Sequence, residues 1–177
     1  MSTTSPALTI DLVPDEQTVA PDGTRLEALI DGVRVRRAVT QTDERGSLTE
    51  MYDPRWGFTE EPLVYVYTAT IRPGRVKGWI VHRLSDDRLF LAMGTGVAKV
   101  VLYDARSGSP TEGAINELFF DAHSRGLLRI PIGVVHAIQN LGTEDLNFVN
   151  MPTRPYDHGA PDKQRLPLDT DRVPYRF

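Results

Sequence analysis

Gly78-Trp79-Ile80-Val81-His82, with Asp87 and Gly94 following, and Pro131-Ile132-Gly133-Val134-Val135-His136, with Asn140 following, are the two stretches on which the fold turns. In each, a histidine ends or interrupts an apolar, β-branched run of the kind that prefers a pleated, half-buried surface, and glycine or proline punctuates the run on either side. Side chains alternate faces along a strand, so Ile80 and His82 point the same way. Two such strands side by side in one barrel bring His82, Asp87 and His136 to a shared interior and make a small-molecule pocket there.

Outward from these stretches the pattern stays β. Val33, Val35 and Ala38-Val39 alternate with arginines. Thr42 to Gly46 reads as a turn into Ser47 to Tyr52, and Leu63 to Ile71 as a long strand carrying Tyr65 and Tyr67 on one face. Arg72-Pro73-Gly74 is a turn. Further runs at Val76–His82, Arg88–Met93, Val97–Tyr103, Ala114–Phe120, Leu127–Ile130, Val134–Gln139 and Leu146–Met151 complete about ten short strands, the spacing of an antiparallel sandwich or barrel. Residues 24–30 are expected to form a short helical turn, the first residues a loose arm, and the proline-rich tail from Pro152 a surface wrap with at most a short helix.

With 177 residues, 40% hydrophobic and 25% charged, the chain has the composition of one globular domain with its own core. A net charge of −4 gives no basic field for nucleic acid. The absence of cysteine excludes disulfides, thiolate metal sites and cysteine nucleophiles. No run reaches the roughly 20 apolar residues of a membrane helix, and Met1 to Ala20 has neither a basic start nor an apolar core. The expectation is a cytoplasmic protein without membrane or nucleic-acid partners.

Gly126, Pro131, Gly133, His136 and Asn140 together resemble the second motif of the cupins, and His82, Asp87 and Gly94 the first, with Ile80 where that motif has its leading histidine and Asp87 in place of glutamate. This resemblance implies an all-β fold, a cupin-type jelly roll or double-stranded β-helix barrel with short terminal helical or coil segments. Residues 32–177 would form the cupin domain and residues 1–31 an N-terminal arm crossing to a partner subunit. A narrower similarity rests on Asp43-Glu44-Arg45-Gly46 with Glu50, Lys77-Gly78-Trp79, Leu102-Tyr103-Asp104-x-Arg106 with Ser109-Pro110-Thr111-x-Gly113, and Ile130-Pro131-x-Gly133-x-x-His136. These look like the dTDP-4-dehydrorhamnose 3,5-epimerase family. Tyr156-Asp157, Pro161-Asp162 and Val173-Pro174-Tyr175 look like its subgroup with a Gly-Trp-His-x-His strand.

That resemblance implies a homodimer that epimerises a nucleotide-linked 4-keto-6-deoxysugar without metal or cofactor. It also implies a site, and a departure from it. The family's catalytic histidine is Ile80 here and its tyrosine acid is Asn150, while its enolate-stabilising lysine is Arg88 and its C-terminal carboxylate Asp169. Proton abstraction beside a ketone needs a base about 3 Å from the C–H and a cation or donor on the enolate oxygen. His82 is the histidine nearest the vacated base position, with Arg88 or Lys77 as oxyanion partner. Two readings stand for His82: a base, or a buried histidine bonded to Asp87 or Tyr67 for structure.

His136 could bond a sugar oxygen or phosphate, or cap strand carbonyls. Arg45 could clamp a diphosphate bidentately or pair with Glu50 at the barrel mouth. Arg106 with Asp104 reads as a turn held by its own ion pair. Tyr65, Tyr67 and Trp79 could stack on a base or sugar ring or belong to the core.

The catalytic set is therefore His82, Arg88 and Asp169, and the substrate-binding set Arg45, Glu50, Tyr67, Lys77, Trp79, His136 and Asn150. Should a metal bind, its ligands would be His82, Asp87 and His136, two imidazoles and a carboxylate. Three functions follow: a single-site epimerase or ketoisomerase, a divergent cupin enzyme cyclising or dehydrating a natural-product intermediate, or a binding module without turnover.

Overall fold

The computed structural model describes residues 9–23 and 25–177. The tip of the expected arm and Thr24 thus lie outside the described residues. Residues 25–30 form no helical turn; they carry an isolated bridge, Arg25 to Val19, in place of the expected one. Among the described residues there is no α-helix, only a 3₁₀ turn at Pro54–Trp56, and none is long and apolar enough to cross a membrane.

Twelve strands follow in order: β1 (Arg34–Arg37), β2 (Thr40–Asp43), β3 (Gly46–Thr49), β4 (Tyr67–Ile71), β5 (Val76–Val81), β6 (Asp87–Met93), β7 (Ala98–Asp104), β8 (Ile115–Phe120), β9 (Gly126–Ile130), β10 (Val134–Asn140), β11 (Leu146–Asn150) and β12 (Gln164–Arg165). They make one antiparallel sheet ordered β1-β9-β6-β11-β4, a second ordered β12-β5-β10-β7-β8, and a separate β2-β3 hairpin. Two five-stranded antiparallel sheets packed face to face are the cupin jelly roll that the motifs imply.

Leu89, Leu91, Val100, Leu102, Leu118, Leu128, Ile130, Leu146 and Phe148 pack between the sheets. The central strands are covered on their outer faces as well. Phe90, Leu127, Val149 and Met151 pack under Phe58, and Trp79, Val101, Val135 and Ala137 pack under Val173. This double burial is why β6, β7 and β10 read as nearly continuous apolar runs.

The expected strand from Leu63 begins only at Tyr67. Among the described residues β4 pairs only with β11, which is five residues long and whose ladder ends at Asn150 opposite Tyr67, so Leu63, Val64 and Val66 lie beyond that ladder and stand exposed. The Pro131-x-Gly133 turn needs its glycine. Gly133 has φ +82°, and a Cβ there would meet Arg106 Cγ at 2.7 Å. The turn docks on the first motif, Gly133 N donating to His82 O at 2.8 Å. Asp104 takes Arg106 Nε at 2.7 Å, Ser109 Oγ at 2.6 Å and Thr111 Oγ1 at 2.6 Å. The Asp-x-Arg and Ser-Pro-Thr elements thus tie one turn together.

Candidate active site

His82 directly follows β5, Asp87 opens β6 and His136 lies on β10. Both strands that hold the histidines belong to the second sheet, β10 pairing β5 so that His136 stands opposite Ile80. Asp87 reaches across from the first sheet. Its Oδ2 lies 3.5 Å from His82 Nε2 and 3.3 Å from His136 Nε2, and the two rings stack with centroids 6.0 Å apart. The other oxygen of Asp87 accepts from Asn150 Nδ2 at 2.8 Å, and the same amide donates to the Tyr67 hydroxyl oxygen at 2.9 Å. His136 Nδ1 faces the Val134 carbonyl at 3.3 Å, which can only accept.

The far side of His82 is held by a residue that the sequence marked only as part of the subgroup resemblance, without a role. Asp162 Oδ2 lies 3.3 Å from His82 Nδ1, and the carboxylate also accepts from the backbone of Arg83 at 2.9 Å and Leu84 at 3.1 Å and from Ser85 Oγ at 3.2 Å. The proline-rich tail is pinned at this point, and His82 sits between two carboxylates.

Burial would raise the Asp87 carboxyl. The hydrogen bond and charge of His136, the charge of His82 and the Asn150 amide outweigh it and hold Asp87 at about 2. His82 is lowered too, but there burial prevails and takes it below the ordinary imidazole range; the charges of Asp87 and Asp162 only partly restore it, and those of His136 and Lys163 add to the lowering. It is the uncharged form, able to accept a proton, that the site favours at neutral pH. Burial, then the Asp87 charge, push the Tyr67 phenol up, so it stays protonated.

Two cavities meet at this cluster. An outer cleft of about 340 Å³ is lined by Tyr65, Tyr67, His82, Leu84, Ser85, Asp87, Tyr156 and Asp162 among others. An inner hollow of about 180 Å³ lies between the sheets, lined by Lys77, Ile80, His136, Asn150, Arg165 and apolar neighbours. Tyr67, Asp87 and Lys163 line both. Lys163 is new. Burial lowers its ammonium, the Asp87 charge opposes that, and the charges of Arg165 and Lys77 add to the lowering.

Of the expected site residues, the fold gathers His82, Tyr67, Lys77, His136 and Asn150 around these cavities. Others it sends elsewhere. Arg88 is fully buried on the face of β6 opposite to Asp87. Its guanidinium is spent on Met151 O (2.5 Å), Thr59 Oγ1 (3.0 Å), Glu61 O (2.8 Å), Pro62 O (3.0 Å) and Pro152 O (3.2 Å). That corrects its expected role at the enolate. Trp79 is a core residue on the outer face of β5, fully buried against Val101 and Ala137, because its neighbour Ile80 takes the inward position.

Asp169 is exposed and lines neither cavity. Arg45 sits exposed on the β2-β3 hairpin, bonded through Nη2 to Asp43 Oδ2 at 2.5 Å, and Glu50 lies beyond the hairpin beside Arg36, Arg37 and Trp56.

The donor atoms of His82, Asp87 and His136 lie within 4.8 Å of one another, a spacing that could hold a divalent cation. The hydrogen bonds above and the Lys163 ammonium beside Asp87 account for the same cluster without one.

No protein-family model matches the chain. The chain is 31% identical over 149 residues to the spore coat polysaccharide biosynthesis protein SpsL of Bacillus subtilis (strain 168), covering 84% of this chain and 97% of the relative. It is 34% identical over 141 residues to the probable low-salt glycan biosynthesis epimerase Agl13 of Haloferax volcanii, covering 79% and 89%. Among solved structures it is similar to the dTDP sugar isomerase from Desulfovibrio desulfuricans G20, with a TM-score of 0.75 and 25% identity over 82% of this chain and 90% of that one.

Proposed function

The chain belongs to the dTDP-sugar epimerase and isomerase family of cupin barrels, and from that membership we propose that it removes a proton beside the ketone of a nucleotide-linked 4-keto-6-deoxysugar, in natural-product or polysaccharide biosynthesis. The observation that carries the reading is His82, uncharged, bordering the cleft and held between the carboxylates of Asp87 and Asp162.

In this mechanism His82 Nε2 takes the proton from the carbon next to the carbonyl. The C–H electron pair becomes the C=C of an enolate, and the carbonyl oxygen takes the negative charge beside the Lys163 ammonium. The imidazolium that forms lies between two carboxylates, which stabilise it, and Asp162 fixes the ring through Nδ1. Tyr67, kept protonated by its surroundings and bonded to Asn150, returns a proton to the enolate. Asn150, where the family has its tyrosine acid, thus positions another phenol in the same cavity.

One base and one acid serve one carbon at a time, which fits a single-site epimerase or a ketoisomerase. Acceptor, oxyanion partner and donor are all side chains, so the reaction calls for no cofactor. We read the working unit as a cytoplasmic homodimer, consistent with the exposed apolar Leu63, Val64 and Val66 beside β4; light scattering of the purified protein at twice the monomer mass is the expected result.

The function is tested by incubating the protein with dTDP-linked 4-keto-6-deoxyhexoses in D₂O and identifying products. Deuterium entering C3 or C5, with an inverted centre or a moved carbonyl, is expected. Several such substrates recovered unchanged would overturn the reading.

A further inference from the structure

The tail beyond β12 crosses the outer face of the second sheet, lines neither cavity and takes no part in the proposed proton transfer. Leu166 N donates to Trp79 O of β5 at 3.1 Å. Val173, buried, then packs with Trp79, Val101 and Val135 on β5, β7 and β10. Tyr175 reaches the opposite side of the sheet. Its hydroxyl donates to Glu117 Oε1 of β8 at 2.5 Å and accepts from Lys99 Nζ of β7 at 2.8 Å, and Lys99 lies over both the Tyr175 and Phe177 rings. With the strands ordered β12-β5-β10-β7-β8, the tail is a strap tied at both sides of the sheet. What it covers is Trp79. The Tyr175 ring meets the indole edge-on with centroids 6.1 Å apart, and Phe177 lies against it at 5.3 Å. The indole is fully buried and its Nε1–H has no hydrogen-bond partner among the described residues, so packing alone sets where the ring stands. The backbone there is weakly held too. β5 pairs β10 through Ile80 and Lys77 with a register shift between them, so that Gly78 and Trp79 bulge against Ala137 alone. His82 comes three residues later, just past the end of the strand.

We infer that Tyr175, with Phe177 beside it, is a positioning residue for the reaction: through Trp79 it holds the bulge of β5, and the bulge sets where His82 stands in the cleft. This role rests on the proposed function for the chemistry at His82, whereas the hold on β5 does not. A bulge re-aims the residues that follow it, and a segment short of ladder bonds keeps its shape only as far as its side chains are packed. Trp79 faces away from the cavities while Ile80 lines the inner one. The strap therefore acts on the reaction through the strand and touches no substrate.

Amide hydrogen exchange and steady-state kinetics test it together. The proteins are the wild type, Tyr175→Ala, Tyr175→Phe and, as a control for lost stability, Val35→Ala on β1 of the other sheet, each assayed below its melting transition. Amides of residues 79–84 should exchange about tenfold faster or more in Tyr175→Ala, while those of β6 and β9 keep the wild-type rate. With a dTDP-linked 4-keto-6-deoxyhexose, kcat for deuterium wash-in should fall about tenfold or more, because a small misplacement of the base is costly, and KM should change less than about twofold. Tyr175→Phe keeps its ring on Trp79 and should recover most of the wild-type kcat, and Val35→Ala should keep all of it. Should Tyr175→Ala not fold, Phe177→Ala, which removes the partly exposed ring, carries the same expectations. Wild-type amide exchange and kcat in Tyr175→Ala would overturn the role, as would an equal loss of kcat in Val35→Ala. Faster exchange at 79–84 in Tyr175→Ala, with no sugar proton exchanged even by the wild type, would keep the strap and remove the proposed reaction. Turnover lost with those amides unmoved would do the reverse.

Discussion

Asp87 and Arg88 are neighbours in sequence and opposites in role. Consecutive strand residues face opposite ways, so once Asp87 points into the barrel, Arg88 must point out of it, into carbonyls of the Glu61-Pro62 and Met151-Pro152 segments. Arg88→Met should therefore cost stability. Leaving several buried carbonyls without donors costs about 3 kcal/mol or more, read as a lowered urea midpoint, and a chain that folds as stably as wild type would refute the structural role.

The same parity explains what the sequence did and did not reveal. It places Ile80 and His82 on one face, and the structure agrees. Applied one residue further, it already turns Trp79 away from the site and separates Arg88 from Asp87. Reading those two by motif position instead of by face put them in the pocket. His82 itself makes a pH prediction. Burial lowers its pKa, so its neutral, proton-accepting form persists below the ordinary value near 6.5. The acid limb of the exchange rate should lie below pH 6.5, and a limb above it would show that another group titrates.

At the scale of elements, the site depends on how closely β5 approaches β10. A Cβ on Gly78 would fall 2.2 Å from Ala137 Cβ and 2.7 Å from its Cα, and backbone cannot yield as a flexible side chain can. Gly78→Ala should push the strand carrying Lys77, Ile80 and His82 away from His136, with a loss of about 2 kcal/mol or more in thermal or urea unfolding. No measurable change would mean that the two strands are less tightly apposed.

The tail is the element the sequence left least readable. Proline-rich and without periodicity, it offers no pattern to say that Gln164–Arg165 pairs with β5 or that Asp162 caps the Arg83-Leu84-Ser85 turn. Only the Pro161-Asp162 pair gave a trace, as a subgroup mark without a role. Asp162→Asn keeps the shape while removing the charge beside His82. It should lower kcat for exchange about tenfold or more with little change in KM. A wild-type kcat would reduce Asp162 to a pin for the tail.

For the whole molecule, the buried acid–base cluster links stability to pH. The unfolded chain protonates His82 near 6.5 and Asp87 near 3.8, whereas the folded chain does so at lower pH in both cases. In those windows the unfolded state binds more protons, so stability rises with pH and is lost as pH falls. Denaturation midpoints should begin to fall as pH drops through 6.5 and fall again from 3.8 toward about 2, the Asp87 part amounting to about 2 kcal/mol. His82→Ala should remove the first decline, and a first decline unaltered in that variant would assign it to another group.

The barrel was readable because two glycine- and proline-bounded motifs and alternating strands fix both sheets. The assignment of chemistry was not, since it turns on contacts between the first motif and a tail some 80 residues away. The most direct measurement is deuterium wash-in from D₂O, followed by proton NMR of a dTDP-linked 4-keto-6-deoxyhexose, with wild type and folded His82→Ala side by side. Loss of the C3 or C5 proton signal with wild type and its persistence with His82→Ala is the expected result; exchange at the wild-type rate in His82→Ala would contradict the assignment of His82 as the base.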